Sequence, residues 1–291
     1  VNADAANNDP VIFEGFEGLR LAADVRGDPD ACPVLFLHGG GQTRHAWGAT
    51  AEKVAGQGWK AVTMDLRGHG DSDWAVNGDY SFTAFCADCV AVADQLGRPP
   101  VLVGASLGGM SAMLAEGTSD RTVGCGLVLV DITPKTNPLG IERIKTFMES
   151  GIDGFDTLED AAEAIAAYTP QRTRPVNPKG LMKVLRQRGD RWYWHWDPRV
   201  IGYGRTEVVP DRLHGLLDVA TANITVPTLL LHGLLSDVVT QEGVDDLLAQ
   251  IPGARAVGVD GAAHMIAGDR NDAFSSAVIA FLDEEIRPTF G

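Results

Sequence analysis

The pentapeptide Gly104-Ala105-Ser106-Leu107-Gly108 follows the apolar run 101–103 and opens a stretch with helical patterning. A serine in G-x-S-x-G context, at the turn from a strand into a helix, presents its hydroxyl as a nucleophile. The turn is sharp, and glycines at 104 and 108 remove side chains that would clash in it. The hydroxyl then stands at a helix N-terminus, where the helix dipole favours negative charge. Serine is also a common helix cap, so the strand-turn-helix context singles out Ser106 more than the residue type does.

A serine hydroxyl is a weak nucleophile at neutral pH and needs a base. Of the seven histidines, His264 lies in the glycine-rich segment DGAAHMIAGD, between the last predicted strand and the last predicted helix. The chain order Ser, acid, His goes with this kind of serine turn. His38, His45, His69, His195, His214 and His232 are read as structural. The acid that orients the imidazole has two candidates. Asp237, in LLLHGLLSDVVT just past the run 228–231, is preferred. Asp131, at the end of the run 127–130, competes with it. An oxyanion needs two N–H donors. Leu107, directly after the nucleophile, supplies one. Gly40, in His38-Gly39-Gly40-Gly41, supplies the other, with Gly41 as the alternative.

These residues need a scaffold that brings distant loops to one edge. Strand-like runs at 11–16, 19–26, 34–37, 60–66, 101–105, 127–130, 228–231 and 254–259 alternate with helical runs at 46–57, 82–96, 107–116, 244–250 and 273–285. Short runs apolar on both faces, alternating with helices, predict an α/β fold with a mostly parallel sheet covered on both sides. Sites in such sheets lie outside the carboxyl ends of the strands. The chain therefore divides into core 1–133, an inserted segment 134–226 and core 227–291. The insertion reads as helical without clear strands, with amphipathic runs at 141–149 and 158–168, and as a lid over the strand ends. Trp47, Met110, Trp194 and Met265, with Gly41, are candidate substrate contacts, and Trp192 and Trp196 extend the set. Tryptophan and methionine beside a reacting centre suit an apolar substrate group.

The 291 residues carry 24 Lys+Arg against 39 Asp+Glu, a formal net charge of −15. That charge disfavours nucleic acid and anionic membranes as partners. The cationic minority is dense in the insertion, at Arg172, Arg174, Lys179, Lys183, Arg186 and Arg188, which leaves room for a small anionic group. The four cysteines predict buried thiols: Cys86 and Cys89 share a helix face, and Cys32 and Cys125 stand alone. No run reaches the roughly 18 apolar residues of a membrane span. The start VNADAANNDP shows no signal-peptide pattern, and a cytoplasmic location is expected.

Five segments together, LFLHGGG (35–41), MDLRGHGDSD (64–73), GASLGG (104–109), HGLLSDVV (232–239) and GAAHMIAGD (261–269), resemble the α/β-hydrolase superfamily. The likeness is to its lid-bearing serine esterases and cofactor-free haloperoxidases, and runs nearly end to end. It implies an eight-stranded sheet with the second strand antiparallel, a triad of Ser106, Asp237 and His264, and neither metal nor organic cofactor. It also implies a structural turn at Arg67-Gly68-His69-Gly70. A serine nucleophile points to acyl transfer on a small, largely apolar carboxylic ester, lactone or related bond. Perhydrolysis or C–C bond hydrolysis by the same triad is the alternative, and a non-catalytic ligand receptor the remote one.

Overall fold

A computed structural model describes residues 9–169, 178–206, 210–264 and 271–290. The apolar runs form an eight-stranded sheet. Its strands are β1 (Val11–Glu14), β2 (Arg20–Arg26), β3 (Pro33–Leu37), β4 (Lys60–Met64), β5 (Val101–Ala105), β6 (Gly126–Val130), β9 (Thr228–Gly233) and β10 (Arg255–Val259). Strands β7 (Leu185–Arg188) and β8 (Arg191–Trp194) form a separate hairpin. The sheet order is β1-β2-β4-β3-β5-β6-β9-β10. β2 pairs antiparallel with both β1 and β4, and every other neighbouring pair is parallel.

Alternation along the strands assigns the helices to two layers. Leu35, Leu37, Leu102, Leu127 and Leu129 face one side. There they meet α2 (Phe82–Gln95), α3 (Leu107–Thr118), α7 (Pro210–Asn223) and α8 (Gln241–Gln250). Val34, Phe36, Val101, Val103 and Val128 face the other, against α1 (Gly48–Gly56) and α9 (Asn271–Phe281). The side-chain period of two makes this division unavoidable once the strands are buried on both faces.

Between β6 and α7 the chain builds a smaller unit from α4 (Pro138–Glu149), α5 (Leu158–Tyr168), a 3₁₀ segment Pro178–Lys183, the β7–β8 hairpin and α6 (Arg199–Thr206). Its own core gathers Phe155, Ala161, Ala162, Leu181, Leu185, Trp194 and Trp196. The hairpin departs from the strand-free reading of this segment. Arg186-Gln187-Arg188 disguises one strand and the aromatic tract the other, so neither shows apolar alternation. Helix α7 falls within 134–226 but packs on α3, where Gly117 lets the backbones meet at Ala220. The segment raised over the sheet edge is thus shorter than the whole insertion.

Cys86 and Cys89 sit on α2 as free thiols, and burial raises the pKa of both. Cys32 and Cys125 are free thiols too; the Cys32 Sγ donates to the Pro33 carbonyl at 3.9 Å, and the interaction between the two thiols lowers the pKa of Cys32 and raises that of Cys125. No helix among the described residues is long and apolar enough to cross a membrane.

Candidate active site

Ser106 sits between β5 and α3 with φ 47° and ψ −113°, a backbone region that L residues rarely adopt. The flanking glycines permit it. A Cβ on Gly104 would strike the Gly108 carbonyl, and one on Gly108 would strike the Leu37 carbonyl. Leu107 is the first residue of α3, so its N–H has no intrahelical acceptor.

The carboxylate at His264 is Asp131 and not the preferred Asp237. His264 Nδ1 meets Asp131 Oδ2 at 2.7 Å, whereas Asp237 pairs with Arg143 Nη1 at 2.8 Å. Asp131 follows β6, is fully buried, and holds φ 49°. Its Oδ1 accepts from the Gly233 N–H at 2.9 Å, and its Oδ2 also accepts from Ser236 Oγ at 2.6 Å. Three donors thus fix a buried carboxylate, which is what such a charge requires. Asp237 is drawn off by the insertion: α4 lies against the 237–238 backbone at Gly140, and Arg143 on that helix reaches down to the carboxylate. Both acids satisfy the chain order, and sequence carries no sign of Arg143 claiming one of them. With Nδ1 engaged by Asp131, the nitrogen left for proton transfer is Nε2.

The glycine loop after β3 is held by two buried histidines. The Leu66 N–H donates to His38 Nε2 at 3.0 Å, so His38 Nδ1 donates to the Gly39 carbonyl at 2.8 Å. The Gly41 N–H donates to His69 Nε2 at 3.2 Å, so His69 Nδ1 donates to the Arg67 carbonyl at 3.0 Å. Each ring therefore needs one bare nitrogen. Burial, the largest cause, lowers His38 to about 4 and His69 to about 3, keeping both neutral. Gly41 has φ +76°, and its N–H is committed to His69. The Gly40 N–H takes no acceptor among the described residues, which favours Gly40 over Gly41 as an oxyanion donor.

Ser106, His264, Gly39, Gly40 and Gly41 line a cavity of about 330 Å³ under the insertion. Trp47, Trp194 and Trp196 line it too. Trp47 nonetheless belongs to the core, packed between Phe36 and Phe274. Met110 is not on the wall: it packs against the core at α3. Met265 lies outside the described residues. Phe147, Met148 and Tyr168 line the cavity without having been anticipated, and Lys183 lines it from the cationic run of the insertion. Phe147 and Met148 share the 141–149 run, whose amphipathic pattern marked a buried face without saying what it covers.

Residues 34–277 match the sequence model of the alpha/beta hydrolase family. An esterase of Mycobacterium tuberculosis is 29% identical over 86% of this chain and 82% of that protein. The mouse sn-1-specific diacylglycerol lipase ABHD11 is 28% identical over 88% of this chain and 82% of its own. The crystal structure of an alpha/beta hydrolase from Novosphingobium aromaticivorans superimposes with a TM-score of 0.81 at 25% identity, covering 97% of this chain and all (100%) of that one.

Proposed function

The chain belongs to the alpha/beta hydrolase family, and from that premise we propose that it is a carboxylic ester hydrolase working through an acyl-enzyme on Ser106. The observation that carries the reading is the juxtaposition of a strained serine and an Asp131-bound His264 on one cavity. Esterases and a lipase among its relatives support the same class of substrate.

The steps follow from the geometry. Ser106 Oγ attacks the acyl carbon while His264 Nε2 takes its proton. Asp131 holds the imidazole in the tautomer that leaves Nε2 bare and stabilises the imidazolium. The N–H groups of Gly40 and Leu107 receive the oxyanion; losing one such donor raises the barrier by about 2.7–4 kcal/mol. The tetrahedral species collapses, and the departing alkoxide takes the proton from His264. Water then adds to the acyl-Ser106 carbonyl with His264 as base, releasing the acid and restoring the serine.

The segment over the sheet edge acts as a lid. Phe147, Met148, Trp194 and Trp196 give the bound ester an apolar wall. Arg143 ties this lid to the core through Asp237, and its guanidinium also lies 5.2 Å over the Tyr168 ring.

Short p-nitrophenyl esters and a fluorophosphonate probe test the proposal together. The expected result is turnover plus one covalent adduct at Ser106, both lost in Ser106→Ala. Undiminished turnover by Ser106→Ala would overturn it.

A further inference from the structure

The cations clustered in the insertion have distinct environments. Arg186 Nη2 donates to Asp71 at 3.1 Å. Arg188 lies over Trp74 and Tyr193, at 5.1 and 5.8 Å from the ring centroids. Arg172 and Arg174 lie outside the described residues, and Lys179 is not on the cavity wall. Lys183 is on that wall. Its carbonyl accepts from Thr43 Oγ1 at 3.0 Å, which holds it beside the chain leaving the glycine loop.

Among the described residues Lys183 has no carboxylate partner, and no Asp or Glu lines the cavity. His45 shares the wall. Burial above all, then the charge of Arg44 and more weakly that of Lys183, lowers the His45 pKa, which disfavours a second positive charge there. Among the described residues of the wall Lys183 is thus the one Lys or Arg, in a chain of net charge −15. Such a wall is complementary to a ligand with one negative charge and an apolar stem.

We propose that the preferred substrate is a monoanionic ester, whose carboxylate binds Lys183 while its stem packs on Phe147, Met148 and Trp194. This rests on the ester-hydrolase reading and narrows it to esters carrying a free carboxylate. Lys183 is exposed, so the expected preference is modest, about two- to fivefold.

Two matched pairs test it. p-Nitrophenyl hydrogen glutarate against p-nitrophenyl valerate places the charge on the acyl arm. 3-Butyryloxypropionate against propyl butyrate places it on the alcohol arm. In one pair the anion should be preferred in kcat/KM, chiefly through KM. Lys183→Met should abolish that preference and Lys183→Arg should keep it. No preference in either pair, or one that survives Lys183→Met, overturns the proposal. Calorimetric titration of Ser106→Ala protein with monomethyl glutarate separates this failure from that of the parent reading. Binding lost in Ser106→Ala/Lys183→Met, without turnover of any ester by the wild type, supports the anion site and removes the esterase reading. Turnover without charge preference does the reverse.

Discussion

Ser236 is the residue whose part is least visible in the sequence. Its hydroxyl donates to Asp131 Oδ2 and accepts from the N–H groups of Val238 and Val239 at 3.1 Å each. It thereby joins the loop after β9 to the acid that holds His264. Ser236→Ala should remove one charge-assisted hydrogen bond, worth about 1.5–3 kcal/mol, and loosen the His264–Asp131 geometry. The expected outcome is a fall in kcat of about tenfold with little change in KM. Ser236→Thr, which keeps the hydroxyl, should restore most of the activity. Ser106 and His264, which the structure places on one cavity, stand out in the sequence because G-x-S-x-G and a histidine before the last helix are local patterns. The choice between Asp131 and Asp237 depends on Arg143, 94 residues from Asp237, and no local pattern carries that.

At the scale of elements, the β5–α3 turn is the part whose construction is most constrained. Helix α3 begins so close to β3 that Gly108 lies against the Leu37 carbonyl. Gly108→Ala should destabilise the fold by about 1–3 kcal/mol through overpacking, read as a lowered urea midpoint, and should depress activity further by displacing Ser106. Gly253→Ala is the informative contrast: unlike Gly108, that position has a positive φ but no neighbour within 4 Å, so only backbone strain remains. The core strands were readable because burial on both faces leaves continuous apolar runs. The hairpin β7–β8 was not, since it covers a small local core and its first strand is largely charged. The insertion's helices were legible in α4 and α5, where capping supports the amphipathic pattern. Thr157 accepts from the Asp160 N–H while the Asp160 side chain accepts from the Thr157 N–H.

Across the molecule, the buried neutral histidines tie stability to pH. His38 and His69 are held to about 4 and about 3, while in the unfolded chain they titrate near the ordinary 6.5. Between those limits the unfolded state binds more protons, so stability rises with pH there. The contribution is complete above about pH 6.5 and is lost as pH falls toward the folded values, at about 1.4 kcal/mol per pH unit for each ring. Unfolding free energies by urea at pH 7.5 and 5.0 should therefore drop on acidification. The drop should be smaller in His69→Gln, because one of the two rings no longer titrates. An equal pH dependence in both proteins would show that His69 is not held neutral by the fold.

In the proposed mechanism Asp131, on His264, is the acid that serves Ser106, while Asp237 serves the lid. The most direct measurement is ester turnover by Asp131→Asn and Asp237→Asn side by side, each verified as folded by circular dichroism. Asn at 131 should reduce kcat by about 10⁴-fold, the scale expected when the imidazole loses the partner that fixes its tautomer. Asn at 237 weakens only an exposed ion pair worth about 0.2–1 kcal/mol and should leave kcat within several-fold of wild type. An active Asp131→Asn beside an inactive Asp237→Asn would contradict the account.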